Sequence, residues 1–220
     1  MLTLAPAASA YPYTDVVRED ILRMIPADGL VIGSIGCGTG ASERVLVDNG
    51  RIVHGVDVSE QAVRVASTRL TTARVIDGDE RSPFARDCLD GLILADVLEH
   101  IPAAWNALHS FVESVHVGGW VVISVPNMLY LEALYQLLWK RDWPERNTGI
   151  FDATHVQFMT THRLRRWCTD SGLVIEKSFG RYDPNGPRRL RASRLLDKLS
   201  FGLLHEFCIY QIQFRCRRVR

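Results

Sequence analysis

Three side chains that can bind protons or metal ions lie close together in the stretch Asp96-Val-Leu-Glu99-His100, directly after an apolar run. On a helical turn, residues at i, i+3 and i+4 share one face, so we expect these side chains to project together. Two carboxylates and an imidazole suit a divalent cation such as Mg²⁺ or Mn²⁺. The imidazole of His100 also suits general-base chemistry on a hydroxyl. The trio can equally order the turn without touching a ligand, and the pattern alone leaves all three interpretations open.

A second imidazole, His155, lies between residues 143 and 160, where we predict a long loop. Loops of this length are uncommon and are often functional. We therefore predict a functional role for His155. The alternative for His155 is a hydrogen bond that only fixes the loop.

Glycines at positions 36, 38 and 40 follow one apolar run, and a second apolar run ends on Asp57. The order strand, glycine turn, helix, strand and acid is the first half of a nucleotide-binding α/β unit. Glycine allows both the sharp turn and the close approach of a ligand to the backbone. An acid at the end of the second strand can accept hydrogen bonds from ribose hydroxyls. We therefore predict an adenosine-containing ligand.

This stretch alone does not identify the ligand. Gly36, Gly38 and Ala41 satisfy the dinucleotide fingerprint G-x-G-x-x-G/A, with Asp57 about 20 residues further on. The competing interpretation is the G-x-G-x-G turn that binds S-adenosylmethionine (SAM).

The 220-residue chain is predicted to form one domain. Its formal net charge of +1 gives no overall indication of nucleic-acid binding. Five cysteines form no CxxC pair and no signal peptide is recognisable, so we expect reduced thiols and a cytoplasmic protein. No apolar run reaches the roughly 20 residues of a membrane span.

Apolar runs alternate with helical patterns along the chain, which predicts a mostly parallel sheet covered on both faces. Strands are predicted at 30–35, 52–56, 72–76, 90–95, 120–125, 173–179 and 208–216. Helices are predicted at 16–25, 59–70, 103–116, 128–140, 161–171 and 192–201. The fold class is therefore α/β, with seven strands and an antiparallel strand at one edge.

Two surfaces have an unusual composition. Helix 128–140 is apolar on most sides, which fits a lid over the acceptor, a homodimer surface or core packing. Residues 181–220 contain ten Arg or Lys against three Asp or Glu. The basic cluster Arg188, Arg189, Arg191, Arg194 and Lys198 suits phosphate binding, and its alternative is a solvated helix face.

Several motifs together resemble class I SAM-dependent methyltransferases, over roughly residues 11 to 180. Leu30 to Gly40 resembles "VLDxGCGTG", and residues 55–59 resemble the ribose-binding "GVDxS". Residues 77–84 resemble "GDxxxLPF", residues 90–101 resemble "FDxVxxxxVLEHV", and residues 117–127 resemble "LKPGGxLxxSxPN". The resemblance favours SAM over a dinucleotide and implies a Rossmann-like, doubly wound fold.

The resemblance also implies roles for individual residues. It assigns Gly36, Gly38, Gly40 and Ala95 to the donor site, Asp57 to the ribose and Asp79 to the adenine. Ser34 replaces an acid that in the family helps to orient the loop and the amino group of the methionine part. Tyr11 and Tyr13 precede the first helix, where the family often has a lid; helix stapling is the alternative.

The stretch Gly149 to Thr160 resembles "GILDxTHxRFFT" of bacterial polysaccharide and glycan-pathway methyltransferases. This favours O-methylation of a sugar or glycan-precursor hydroxyl.

The acidic and imidazole trio also resembles the "ExxEH" metal set of small-RNA 2′-O-methyltransferases and of a ubiquinone-pathway O-methyltransferase, with Asp96 in place of the first Glu. The RNA enzymes have a further His in a later "DHxFxxT" stretch, to which residues 154–160 correspond. The resemblance thus implies that His100 and His155 activate the acceptor, alone or through a metal ion bound with Asp96 and Glu99. Methylation of RNA or of a quinone-type phenol is thus the alternative, and a regulatory SAM-binding protein is the non-enzyme alternative.

Overall fold

A computed structural model describes residues 15–77, 82–183 and 187–220, and the side chains of residues 187–190 lie outside the description. Within these residues the strands are β1 (Val31–Ile35), β2 (Ile52–Asp57), β3 (Thr72–Val75), β4 (Leu89–Ala95), β5 (Val115–Pro126), β6 (Leu173–Arg181) and β7 (Gln211–Arg218). The α-helices are α1 (Glu19–Leu22), α2 (Ala41–Asp48), α3 (Glu60–Ala66), α4 (Ala104–Val112), α5 (Leu131–Tyr135), α6 (Thr161–Asp170), α7 (Pro187–Leu199) and α8 (His205–Cys208).

The strands form one seven-stranded sheet in the order β3-β2-β1-β4-β5-β7-β6. Strands β1 to β5 run parallel, and β7 is antiparallel to both of its neighbours, β5 and β6. The predicted fold class is therefore confirmed, with the antiparallel pairing at the β6 edge of the sheet. Central strands β1 and β4 are almost continuously buried because helices cover both faces.

The first helix is shorter than predicted. The spacing of Val16, Val17 and Ile21 predicts a stripe over 16–25, but α1 covers only Glu19–Leu22 and both valines are exposed. The backbone N–H of Arg18 donates to the Ser42 hydroxyl, 2.8 Å away, instead of entering a longer helix. This contact attaches the segment before α1 to the beginning of α2.

Two other predicted helices differ from the structure. Helix α4 ends at Val112, and the predicted glycine stop at Gly118 and Gly119 lies inside β5. A Cβ at Gly119 would lie 2.7 Å from the carbonyl oxygen of Asp90, so this glycine serves close strand contact rather than a helix end. The predicted helix 128–140 is divided into α5 and a π-helical segment, Gln136–Lys140.

Parallel pairing places the glycine turn beside the acidic turn. Ile35, which precedes the glycines, pairs with Leu94 near the end of β4. The carboxyl ends of neighbouring parallel strands meet at one edge of the sheet, where ligands bind in open α/β folds. The candidate site lies at this edge.

Candidate active site

The glycine turn has the backbone that its composition predicts. Gly36, Gly38 and Gly40 have φ values of 70°, 53° and 72°, in the left-handed region that favours glycine. The carbonyl of Val56 accepts the N–H groups of Gly36 at 2.8 Å and Cys37 at 3.1 Å. The turn is thereby hydrogen-bonded to the end of β2.

Asp57 fixes the same turn through its side chain. Its carboxylate accepts the N–H of Gly38 at 2.8 Å and the N–H of Ser59 at 2.9 Å. The residue is buried, with 3% of its surface exposed. Asp57 thus orders the donor turn directly, and the ribose contact remains a prediction.

The missing acid at Ser34 has a structural substitute that sequence reasoning did not identify. The Ser34 hydroxyl donates to the carboxylate of Glu43, 2.8 Å away, in the first turn of α2. Both residues are buried, and burial raises the pKa of Glu43 while the Ser34 hydrogen bond lowers it. A carboxylate therefore lies beside the donor turn, supplied from nine residues further along the chain.

Asp96 lies outside the helical turn that holds Glu99 and His100. Its φ of 57° is left-handed, and only Leu98–His100 forms a 3₁₀ turn. The Asp96 carboxylate instead forms an ion pair with Arg18 and accepts from the side-chain amide of Gln211. The predicted helical turn therefore does not include Asp96, although its charge still acts on the other groups, and its place in a metal set stays a prediction.

Glu99, His100 and His155 do come together. Their potential ligand atoms all lie within 4.8 Å of one another, and the two imidazole rings meet edge to face with centroids 4.8 Å apart. The Glu99 carbonyl accepts the N–H groups of Val156 at 2.8 Å and Gln157 at 3.0 Å. These backbone bonds attach the loop that carries His155 to the turn that carries Glu99.

Asp152 is a further acid at this cluster that sequence reasoning did not select, although it lies in the quoted Gly149 to Thr160 motif. Its carboxylate accepts the Thr154 hydroxyl at 2.6 Å, and that hydroxyl contacts Nδ1 of His100 at 3.0 Å. Because the single hydroxyl hydrogen goes to Asp152, the hydroxyl oxygen accepts from Nδ1 of His100. The neutral form of His100 then carries its lone pair on Nε2.

Burial dominates the electrostatics of the cluster. It raises the pKa of Glu99 well above its usual value, an effect that the nearby charge of Asp96 reinforces. It lowers the pKa of both His100 and His155, so both imidazoles are neutral at pH 7. Neutral imidazole is the form that binds metals and accepts protons.

The donor atoms of the cluster fit a divalent cation. Among the described residues, neither side-chain oxygen of Glu99 has a hydrogen-bond partner, and neither does Oδ2 of Asp152. A buried carboxylate without partners is costly unless it binds a proton or a cation. Glu99, His100 and His155 could hold the ion, whereas Asp96 already has protein partners.

Other predicted site residues are placed as follows. Ala95 ends β4, one residue beyond Leu94, and is therefore close to the glycine turn. Asp79, Tyr11 and Tyr13 lie outside the described residues.

The chain is similar to known methyltransferases over most of its length. A family model described as a methyltransferase domain matches residues 15–178. A ubiquinone biosynthesis O-methyltransferase of Alkalilimnicola ehrlichii is 29% identical over 185 residues, which cover 73% of this chain and 68% of that protein. A protein of the same name from Hydrogenovibrio crunogenus is 24% identical over 196 residues, covering 84% and 78%.

Solved structures show the same fold. An S-adenosylmethionine-dependent methyltransferase from Mesorhizobium loti aligns with a TM-score of 0.63 at 17% identity, covering 91% of this chain and 96% of that one. A methyltransferase from Haloferax volcanii, solved with its Trm112 activator, gives a TM-score of 0.65 at 17% identity, covering 92% and 88%.

We predict that, without metal, the Glu99→Gln variant becomes more stable relative to the wild type as the pH rises. The folded-state pKa of Glu99 is raised, so the native protein keeps a proton that the unfolded chain releases, and stability falls with rising pH. At pH values between the pKa of Glu99 in the unfolded chain and its pKa in the folded protein, the wild type loses stability with rising pH and Glu99→Gln does not. The difference in unfolding free energy between the two proteins should therefore change by about 1.4 kcal/mol per pH unit.

Thermal unfolding in the presence of a chelator at several pH values between about 5 and 8 measures this difference. Glu60→Gln, which changes an exposed carboxylate paired with Arg64, is the matched control and should show no such trend. If the Glu99→Gln protein is less stable than the wild type at every pH, the conclusion that the side chain of Glu99 lacks hydrogen-bond partners is contradicted.

Proposed function

The chain belongs to the family of S-adenosylmethionine-dependent methyltransferases, and from this premise we propose that it methylates a hydroxyl oxygen of a quinone-type phenol. The observation that carries the proposal is the position of the glycine turn beside the Glu99–His100–His155 cluster. Val97, two residues before Glu99, packs against the glycine turn: a Cβ at Gly36 would lie 2.5 Å from a methyl carbon of Val97. The segment that leads from β4 to Glu99 therefore touches the donor turn.

The acceptor class rests on the relatives and on chemistry. The curated relatives described above are named for O-methylation in ubiquinone biosynthesis. The comparisons give no support to the sugar or glycan acceptor that the Gly149 to Thr160 motif favours. A phenolic hydroxyl, with a pKa of about 10 as in tyrosine, is also easier to deprotonate at neutral pH than a sugar hydroxyl.

The residues of the cluster have two available roles toward that hydroxyl. Nε2 of either neutral imidazole can accept the hydroxyl proton while the oxygen forms its bond to the methyl carbon. Alternatively, Glu99, His100 and His155 hold a Mg²⁺ or Mn²⁺ ion, which when bound supplies positive charge that favours the ionised phenol. The unpartnered oxygens of Glu99 favour the second role.

The acids beside the glycine turn suggest how the donor SAM would be bound. When bound, SAM supplies a methyl group on a positively charged sulfur, and the carbon–sulfur bond breaks as the carbon–oxygen bond forms. Glu43 and Asp57 place two buried carboxylates beside the turn. We assign to Glu43 the attraction of the methionine ammonium group that an acid at position 34 would otherwise provide.

A screen with isotopically labelled SAM tests the acceptor. Each acceptor class is assayed with and without added Mg²⁺ or Mn²⁺. We expect label in catechol-type phenols and none in sugars or short RNA. Label in a sugar alone would contradict the phenol proposal while leaving the methyltransferase assignment intact. Calorimetry that detects neither SAM nor its demethylated product would contradict the donor assignment itself.

The role of Glu43 can be separated from simple support of the fold. We expect Glu43→Gln to weaken binding of S-adenosylhomocysteine by about 10- to 100-fold, the loss of one charge-assisted hydrogen bond. Binding of methylthioadenosine, which has the same nucleoside but no ammonium group, should not change. Calorimetry with both ligands makes the comparison.

The second variant, Ser34→Asp in the Glu43→Gln background, restores an acid near the turn and should recover much of the lost affinity. An equal loss for both ligands would assign Glu43 a purely structural role. Unchanged affinity for S-adenosylhomocysteine would remove Glu43 from the donor site.

His155→Ala should lower kcat by about 100-fold or more and leave the affinity for SAM unchanged. Wild-type activity should fall only at a pH below the usual pKa of a free imidazole, because burial lowers the pKa of both His100 and His155 and so keeps them neutral to a lower pH. Steady-state kinetics on a found acceptor measure both effects. His162→Ala, at an exposed position of α6, is the matched control.

Chelation distinguishes the two roles of the cluster. Loss of activity in EDTA, with recovery on adding Mg²⁺ or Mn²⁺, supports the metal ion. Full activity in EDTA with no metal in elemental analysis would leave the imidazoles as bases. Unchanged kcat in His155→Ala would remove the loop from the chemistry.

A further inference from the structure

Helix α7 shows the reverse of the usual arrangement for a surface helix. Its polar residues Ser193 and Asp197 are buried, each 8% exposed, whereas Leu195 and Leu199 are 57% and 67% exposed. Surface helices of globular proteins normally turn their apolar stripe inward. The outward leucines are therefore available to something other than the protein core.

Hydrogen bonds hold α7 in this orientation. The Asp197 carboxylate accepts the hydroxyl of Tyr182 and contacts Nδ1 of His205 at 2.7 Å. Rolling the helix to bury Leu195 and Leu199 would break both contacts and expose the side chains that make them. The apolar face is thus specified by the contacts of the opposite face.

The turn after α7 extends this apolar face. Phe201 is 95% exposed and Leu203 is 86% exposed. The turn is ordered, since the N–H of Gly202 donates to the carbonyl of Asp197 at 3.0 Å and the N–H of Leu204 donates to the Ser200 hydroxyl at 3.2 Å. Phe201 adopts a left-handed φ of 51°, a conformation that non-glycine residues rarely adopt.

Basic side chains share the outward face of α7. Arg191, Arg194 and Lys198 are exposed and stand with Leu195 and Leu199 at positions i, i+3, i+4, i+7 and i+8, which is one stripe of a helix. Among the described residues, neither Arg191 nor Lys198 forms an ion pair. The guanidinium of Arg194 lies over the Tyr182 ring, 5.4 Å from its centroid, while the residue as a whole stays exposed. We call this set, together with Phe201 and Leu203, the basic–apolar stripe.

The composition of the stripe selects its partner. A second copy of the chain docked by a two-fold axis would place the same three cations against one another. An anionic lipid surface instead offers phosphate groups to the cations and acyl chains to Leu195, Leu199, Phe201 and Leu203. The 13-residue helix is about 20 Å long, which suits a helix lying in the membrane plane.

We propose that the basic–apolar stripe docks the protein on a membrane surface that contains anionic lipids. Docking there brings the candidate site close to the membrane. The side-chain amide of Asn127, at the end of β5, donates to the carbonyls of Glu206 and Ile209, so the segment after the stripe is attached to the edge of the sheet where the site lies. Among the described residues, no helix is long and apolar enough to cross a bilayer.

Vesicle flotation with the full-length protein tests the proposal. We expect binding to phosphatidylcholine vesicles that contain phosphatidylglycerol, weakening with added salt, and little binding to phosphatidylcholine alone. The triple variant Arg191→Gln, Arg194→Gln, Lys198→Gln should bind about 100-fold more weakly. Phe201→Ser with Leu203→Ser should lose binding to a similar extent without lowering the melting temperature.

A matched triple variant, Arg23→Gln, Arg64→Gln, Arg166→Gln, removes the same charge from exposed positions elsewhere. It should bind like the wild type. Equal losses in the two triple variants, or equal binding to neutral and anionic vesicles, would overturn the proposal. A dimer in solution that Phe201→Ser dissociates, with no vesicle binding by the wild type, would also overturn it and assign the stripe to self-association.

Discussion

The geometry of the site depends on the turn at Asp96, where the backbone enters the left-handed region directly after β4. This turn sends the Asp96 carboxylate toward Arg18 and Gln211, and it leaves Glu99 and His100 facing His155. The backbone conformation of Asp96 thus directs its own side chain into an ion pair and places the following turn at the candidate catalytic cluster. Residues in rare backbone conformations often occur at functional sites, where the surrounding contacts enforce them.

Buried acidic side chains, which can ionise when a cation binds beside them, are the common property of both halves of the site. Glu43 and Asp57 lie beside the donor turn, and Glu99 and Asp152 lie at the acceptor end; each of the four is at most 7% exposed. Arg18 forms an ion pair with Asp96, and its charge also acts to lower the pKa of Glu99, although burial outweighs it. A site of this kind favours cationic occupants, which agrees with a sulfonium donor that carries an ammonium group and with a divalent ion at Glu99.

Much of the fold was predictable from the sequence because the apolar runs of a parallel sheet are long and are separated by clear turn signals. Helix ends were less predictable: α1 is shortened by the contact between Arg18 and Ser42, which are 24 residues apart. Asp57 was assigned to the donor site from the sequence, but its hydrogen bond to Gly38 was not foreseen. Glu43 and Asp152 were missed because burial and partners, rather than local spacing, distinguish them from other acids.

The sequence by itself determined the α/β architecture and the glycine turn, because these follow from local periodicity and from motifs, whereas the association of His100 with His155 was implied only by the resemblance to a family. Only the tertiary structure decided which acid accompanies them. The spacing of Asp96 and Glu99 predicts a shared face only if the backbone is helical, and at Asp96 it is not. The substitute for the acid missing at Ser34, and the outward leucines of α7, also depend on contacts between distant segments, which no local pattern encodes.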